Sequence, residues 1–122
     1  MVNISDEQFQ HLIDQALGEL PGEHAKNIKN VAILYQEEPT PEQRQQNNLH
    51  PNQTLLGLYE GVPLARRQGT TTLFPDRITL FKGPLCGLAT TVEELKESIK
   101  HTLWHEIAHY YGLDHDRIRE LE

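Results

Sequence analysis

The sequence predicts an α/β (α+β) fold in which a small mixed sheet packs against a long C-terminal helix. Three observations support this prediction: an apolar stripe at helical spacing near the N-terminus, three short apolar segments between residues 31 and 81, and a second helical stripe that begins near residue 91. A chain of 122 residues can enclose one hydrophobic core but not two. We therefore expect a single domain spanning residues 1–122.

The first helix is predicted from a cap and an apolar stripe. Ser5 and Gln8 have the spacing of a capping box, in which each side chain bonds to the backbone N–H of the other residue. Apolar residues then recur at helical spacing: Phe9, Leu12, Ile13, Ala16, Leu17 and Leu20. Pro21 and Gly22 end the pattern, and the stripe is expected to face the core.

Three segments have the pattern of strands. Residues 31–35 form a continuous apolar run that predicts a buried strand. Residues 54–60 predict a second strand, in which Gly57 marks either a bulge or the close approach of another backbone. Residues 77–81 predict a third strand, and Pro84 is expected to close it.

The last helix is predicted to begin at Thr91 and to run to about Tyr111. Thr91 and Glu94 have capping-box spacing. The apolar residues of this segment share one face: Val92, Leu95, Ile99, Leu103 and Ile107. His105 and His109 lie on roughly the opposite face, so one side of the helix can pack on the sheet while the other carries polar side chains.

Residues 105–115 follow the pattern HExxHxxGxxH. In a helix, His105 and His109 lie one turn apart, so both imidazoles can reach one ion about 2.0 to 2.1 Å from each nitrogen. A continued helix would carry His115 away from that ion, and Gly112 lies where a turn is needed to bring it back. Three imidazoles leave a fourth position open, as in catalytic zinc sites. We expect a Zn²⁺ site whose ligands are His105, His109 and His115.

Glu106 directly follows the first of these histidines and is the predicted general base. Zinc lowers the pKa of its bound water from about 15.7 toward about 7 and polarises a carbonyl group. Glu106 would accept the proton of that water and pass it to the leaving amine. These parts predict a zinc-dependent metallopeptidase that hydrolyses peptide bonds in a peptide or protein substrate.

Charge and composition disfavour several other classes. A net charge of −7 weighs against a nucleic-acid partner, although Arg66 and Arg67 form a local basic doublet. Neither a signal peptide nor a run of about 18 apolar residues is present, so we expect a soluble, cytoplasmic protein with no membrane partner. Cys86 is the only cysteine, which excludes an internal disulfide, and it is expected to be a packing residue rather than a fourth ligand or a latency thiol. The oligomeric state is not predicted.

Other polar residues receive lesser roles. Residues 39–53 are expected to form a polar loop, in which His50 is solvated. His101 lies one turn before His105 and is expected to be exposed, or to contact substrate or water, rather than to bind the metal. The candidate oxyanion stabilisers are Tyr110, Tyr111, His101 and Arg66.

Three segments resemble small bacterial zincin-like proteins, the minimal metallopeptidases. They are LLGLYEGVPL at 55–64, FPDRITLF at 74–81 and TLWHEIAH at 102–109. The resemblance implies a compact zincin-like fold with zinc on His105 and His109 and with Glu106 as the base. Many members carry aspartate at the third ligand position. Here that position is His115, and Asp116 beside it is an alternative ligand or an orienting partner for a histidine.

Two other functions remain open. The histidine spacing also resembles that of a small bacterial endoribonuclease of ribosomal RNA maturation, but that motif lacks a glutamate at the position of Glu106. A non-catalytic metal-binding domain is the other alternative, since 122 residues leave little wall for a substrate cleft. Metzincins proper place a methionine turn after the third ligand. The only methionine here is Met1, so a minimal zincin-like protein is expected instead.

Overall fold

The computed structural model of the chain describes residues 1–20, 31–47, 54–61 and 76–110. Within these ranges the elements, in chain order, are α1 (Asp6–Glu19), β1 (Val31–Gln36), α2 (Pro41–Gln46), β2 (Gly57–Glu60), β3 (Asp76–Phe81), α3 (Lys82–Leu88) and α4 (Val92–Tyr110). The strands form a three-stranded sheet in the order β1-β3-β2, in which β1 is parallel and β2 antiparallel to β3. The predicted class, an α/β fold with a small mixed sheet, is confirmed.

One face of the sheet is covered by α1 and α4. Residues paired across neighbouring strands point to the same side of a sheet. The pairing therefore places one set of residues on the face that the helices cover: Val31, Ile33, Tyr35, Gly57, Tyr59, Asp76, Ile78 and Leu80. Ile78 and Leu80 of the central strand are fully buried there. The ring of Tyr35 meets that of Phe9 in α1 edge-on, with a centroid distance of 5.7 Å.

The two long helices bury the stripes that the sequence predicts. The most deeply buried of these side chains are Phe9, Ile13 and Ala16 from α1 and Leu95, Ile99, Leu103 and Ile107 from α4. Val92 is an exception: it borders an open groove beside α1 and is 48% exposed, so its assignment to the core was wrong. Among the described residues, no helix is long and apolar enough to cross a membrane.

Side-chain caps begin both long helices. The Ser5 N–H donates to Gln8 Oε1 at 2.9 Å, and the Gln8 N–H donates to Ser5 Oγ at 3.1 Å, which confirms the predicted capping box. In α4 the Glu94 N–H donates to Thr91 Oγ1 as expected. The Glu94 carboxylate, however, accepts from the N–H and hydroxyl of Thr90 instead of from Thr91, and these bonds lower the pKa of Glu94.

The segment predicted as a polar loop at 39–53 contains α2. Thr40 and Gln43 form a second capping box, with Pro41 in the first turn of the helix. Proline is well tolerated there because an N–H at that position has no partner within the helix. The pattern is present in the sequence, but a six-residue helix is too short to show an apolar stripe, so the loop prediction was wrong for this part.

A second short helix, α3, follows β3 without a loop. Pro84 was expected to close the strand, but it lies in the first turn of α3, where its missing N–H removes no helical bond. Gly83, the residue before Pro84, is bonded to a residue outside the helix: its N–H donates to the Glu37 carbonyl at 2.9 Å. Helix α3 thus depends on a tertiary contact that the sequence pattern does not display.

The strands differ from their predictions at their ends and in their burial. The first strand was predicted to be buried, but β1 pairs with β3 on one side and is a border strand of the described sheet, which leaves Leu34 45% exposed. The second strand begins at Gly57 rather than at residue 54, and the third begins one residue early, at Asp76. The order of the elements along the chain is unaffected.

Cys86 of α3 lies in the hydrophobic core cluster. Burial raises the pKa of its thiol, which favours the neutral form of the side chain. In the described part of the chain, the residues that could share a metal ion are His105, Glu106 and His109. The cysteine therefore packs as a small apolar residue, as the sequence predicted.

The ion pairs between α1 and α4 predict a stability that depends on pH. Hydrogen bonding to Lys96, together with the charges of Lys96 and Lys100, lowers the pKa of Glu19. A carboxyl group whose pKa is lowered by folding stabilises the fold above its unfolded pKa and loses that contribution as pH falls through its folded pKa. We expect Glu19→Gln to lower the melting temperature at pH 7, and the difference from wild type to shrink at pH values below the ordinary glutamate pKa.

Thermal melts between pH 7 and pH 3 test this expectation. Glu97→Gln is the matched control, because Glu97 also contacts Lys100 but from within the same helix, at a spacing of i, i+3. A difference for Glu19→Gln that stays constant over the whole range would contradict the assignment. High salt should reduce it, because exposed charges are screened.

Candidate metal centre

His105 and His109 bring two imidazole nitrogens together on one side of α4. The residues are one turn apart and half-buried, and their Nε2 atoms are separated by 3.2 Å. The ring centroids lie 4.8 Å apart, with an angle of 47° between the planes. Two nitrogens bound to one tetrahedral zinc, each at about 2.0 to 2.1 Å, are separated by about 3.3 Å. The pair therefore has the spacing that zinc requires before any rearrangement of the helix.

Glu106 lies beside this pair but turns toward the sheet. The residue is 8% exposed, and its Oε1 accepts a hydrogen bond from the Tyr59 N–H at 2.9 Å. One ligand atom from each of His105, Glu106 and His109 lies within 4.8 Å of the other two. A carboxylate at this distance can act on a water molecule held by the histidine side of the site.

The Tyr59 N–H that reaches Glu106 lies on the edge of β2 that faces away from β3. The Phe81 N–H donates to the Leu56 carbonyl at 3.0 Å, so these two residues form a hydrogen-bonded pair of the antiparallel ladder. Alternate residues along β2 then direct their backbone groups toward β3, whereas Gly57 and Tyr59 direct theirs away from it. The general-base candidate therefore occupies a backbone donor that β3 does not use.

Gly57 allows β2 to come close to α4. A Cβ atom at this position would lie 2.5 Å from Thr102 Cγ2 and 3.4 Å from Glu106 Cγ. The pairing of β2 with β3 is continuous through Gly57, so the residue marks a close approach rather than a bulge. Tyr59 lies two residues further on the same face, where its backbone is near enough to bond Glu106.

The segments 59–61 and 76–77, which belong to two of the family-like blocks, contact each other side by side. The Tyr59 hydroxyl donates to Asp76 Oδ2 at 2.7 Å, and Arg77 pairs with Glu60 at 3.3 Å. Gly61 has a φ of 150°, and a Cβ there would lie 2.3 Å from Asp76 Oδ1. Sequence reasoning assigned no role to Tyr59 or Asp76, because partners 17 residues apart leave no local pattern.

Several predicted site residues lie outside the described ranges, and their roles stay predictions. They are the third ligand His115, the alternative Asp116, the turn residue Gly112, the loop residue His50, and the oxyanion candidates Arg66 and Tyr111. Tyr110 is the last residue of α4, and its side chain is not described. His101 is exposed on α4, in agreement with one of the two roles expected for it.

The family assignment follows from a comparison with known proteins. A family profile described as zincin-like metallopeptidase matches residues 28–122. The chain belongs to this family. The match includes all three strands and the histidine-bearing helix, and it confirms the zincin-like family that the sequence resembles. Members of such a family carry a metal, typically zinc, and the spacing of the two Nε2 atoms fits that ion.

A solved structure supports the fold. A conserved hypothetical protein from Thermus thermophilus is 17% identical and aligns with a TM-score of 0.55 over 97% of this chain and 100% of that one. At this level of identity the likeness shows the fold alone. No curated protein matches the chain.

The contact at Gly57 predicts how sensitive the site is to a single methyl group. Gly57→Ala should lower the free energy of unfolding by about 1 to 3 kcal/mol, because the new Cβ must displace Thr102 or push β2 away from α4. Gly18→Ala in α1 is the control, since nothing lies within 4 Å of its Cβ position. It should stabilise the protein by about 0.5 to 1 kcal/mol.

Urea unfolding of both variants measures these changes. In Gly57→Ala the amide resonance of residue 59 should also shift, because its hydrogen bond to Glu106 lengthens. Equal stability of Gly57→Ala and wild type would show that β2 and α4 are further apart in solution.

Proposed function

We propose that the protein is a zinc-dependent metallopeptidase that hydrolyses peptide bonds with Glu106 as the general base. The observation that carries this proposal is the pairing of two imidazole nitrogens 3.2 Å apart with a buried carboxylate on the adjacent residue. A metal site that serves structure alone has no need of a carboxylate held outside the pair of histidine ligands. Membership of the zincin-like family supports the same conclusion.

Zinc would be held by His105 and His109, with His115 as the proposed third ligand and Asp116 as its alternative. When bound, zinc supplies a Lewis acid that lowers the pKa of water and polarises the scissile carbonyl group. Neutral imidazoles suit this role, because they leave the positive charge of the ion uncompensated.

Glu106 performs the proton transfers of the proposed reaction. It takes a proton from the attacking water as the bond from the water oxygen to the carbonyl carbon forms. It then delivers that proton to the amide nitrogen as the carbon–nitrogen bond breaks, which releases a neutral amine. The hydrogen bond from the Tyr59 N–H holds the carboxylate in place, so less orientational freedom is lost at each transfer.

The edge of β2 that faces away from β3 is the proposed place for the substrate backbone. Gly57 directs its N–H and carbonyl away from β3, and Tyr59 directs its carbonyl the same way, while the Tyr59 N–H is bonded to Glu106. An extended peptide can pair with such an edge through main-chain hydrogen bonds. This pairing would bring a peptide bond of any sequence next to the base, which supports a peptide or protein substrate.

The other functions make separate predictions. An RNA-processing hydrolase is disfavoured by the net charge of −7 and by the glutamate at 106. A non-catalytic metal-binding domain would keep zinc on the same histidines but would not depend on the carboxylate of Glu106 for any reaction.

Substitution of the base tests the proposal. We expect Glu106→Gln to bind one zinc ion per chain and to cleave a peptide library about 10² to 10⁴ times more slowly than wild type, because general-base catalysis is lost while the ligands remain. His105→Ala should lose the zinc itself. His11→Ala is the control, because it removes an exposed histidine of α1 and should change neither property.

Zinc content, peptide cleavage and cleavage of structured RNA are measured on the same preparations, purified without a histidine tag. If zinc-loaded wild type cleaves no peptide, the metallopeptidase proposal fails in favour of the non-catalytic domain. Cleavage of RNA alone would support the nuclease alternative.

A further inference from the structure

Asp76 is a buried carboxylate outside the predicted ligand set. It is the first residue of β3 and is 2% exposed. In the described part of the chain, the group close enough to share one metal ion consists of His105, Glu106 and His109, and Asp76 is not a member. Burial of a carboxylate is unfavourable unless hydrogen bonds replace those of water. A role for Asp76 must therefore be sought in what it bonds.

Tyr59 connects Asp76 with Glu106. Its hydroxyl donates to Asp76 Oδ2 at 2.7 Å, and its backbone N–H donates to Glu106 Oε1 at 2.9 Å. The residue is thus held at the tip of its side chain and at its main chain. A shift of β2 along or away from α4 would have to lengthen one of the two bonds.

Glycines on both sides of Tyr59 make room for these two contacts. Gly57 precedes it by two residues and admits the side chain of Thr102 from α4. Gly61 follows it by two residues, and a Cβ there would lie 2.3 Å from Asp76 Oδ1 and 2.5 Å from its Cγ. Gly57, Tyr59 and Gly61 are each two residues apart, so their Cα–Cβ directions lie on the same face of the sheet, because side chains alternate along a strand. The pattern leaves space for α4 at one end and for the Asp76 carboxylate at the other.

We propose that Asp76 is a positioning residue for the general base: its carboxylate fixes the Tyr59 side chain, and the Tyr59 N–H then fixes the carboxylate of Glu106. The catalytic consequence rests on the proposed metallopeptidase function, whereas the mechanical link from Asp76 to Glu106 does not. Among the described residues, Asp76 is not a member of the group formed by His105, Glu106 and His109, so we assign it neither metal binding nor proton transfer. Loss of the Tyr59 hydroxyl should therefore loosen Glu106 without removing any ligand of zinc.

Tyr59→Phe is the decisive variant, because it removes the bond to Asp76 and keeps both the ring and the backbone N–H. Tyr35→Phe is the matched control, since Tyr35 is a half-buried tyrosine on the same face of the sheet and lies on the opposite border strand. Three quantities are measured: hydrogen exchange of the residue 59 amide by NMR, zinc affinity by chelator competition, and kcat and KM for a cleaved peptide.

In Tyr59→Phe we expect the residue 59 amide to exchange about tenfold faster or more, since its bond to Glu106 is held less firmly. Glu106→Ala should have the same effect on this amide, and Tyr35→Phe should not. Zinc affinity should change by less than about twofold, while kcat falls about 10- to 100-fold from the misplaced base and KM changes little. Asp76→Asn retains an acceptor oxygen and should recover most of the loss seen in Asp76→Ala.

Unchanged exchange of the residue 59 amide in Tyr59→Phe overturns the proposal. An equal fall of kcat in Tyr35→Phe also overturns it, because the effect would then be a general loosening of the sheet. If Asp76→Ala does not fold, Tyr59→Phe and Asp76→Asn still decide the question. Failure of wild type to cleave peptides would defeat the metallopeptidase proposal, while the amide measurement would still show whether Asp76 holds Glu106 in place.

Discussion

The hydrogen bond from the Tyr59 N–H to the Glu106 carboxylate joins the edge of the sheet to the helix that carries the histidines. Other features of the site follow from it. The strand must approach α4 within the space that only a glycine at position 57 leaves, and the donor must come from the side of β2 that β3 does not use. The helix must in turn be held at a fixed height over the sheet. Four fully buried side chains do this: Leu95, Ile99, Leu103 and Ile107.

The helical period of α4 places its buried apolar side chains and its metal-site side chains on different sides of the helix. The apolar stripe faces the core, the paired imidazoles of His105 and His109 lie half-buried on another side, and Glu106 turns toward β2. Helix α1 contributes to this arrangement from outside the family match at 28–122, because Phe9 and Ile13 complete the core on which the sheet and α4 rest. The site is therefore supported by residues that carry none of its chemistry.

Features that depend on residues close together in the chain could be predicted from the sequence. The stripes and caps of α1 and α4 repeat within a few residues, and the spacing of His105, Glu106 and His109 is fixed by one helical turn. Helices α2 and α3 were not predicted. Helix α2 is too short to show an apolar stripe, and α3 depends on a contact with Glu37. The contacts of Tyr59 could not be predicted from the sequence for a different reason. Its partners lie 17 and 47 residues away, and no periodicity links positions that only the folded sheet brings together.

His105 and Glu106 are neighbours in sequence, yet about 100° of helical rotation separates their directions. A turn of α4 about its own axis would move the imidazole and the carboxylate together, by the same angle. Strand β2, whose Tyr59 N–H bonds Glu106, consequently also restricts the rotation of His105 about the axis of α4. The Tyr59 N–H thus helps to fix the orientation of the metal-binding face, together with the buried apolar stripe of α4, although β2 contributes none of the predicted ligands.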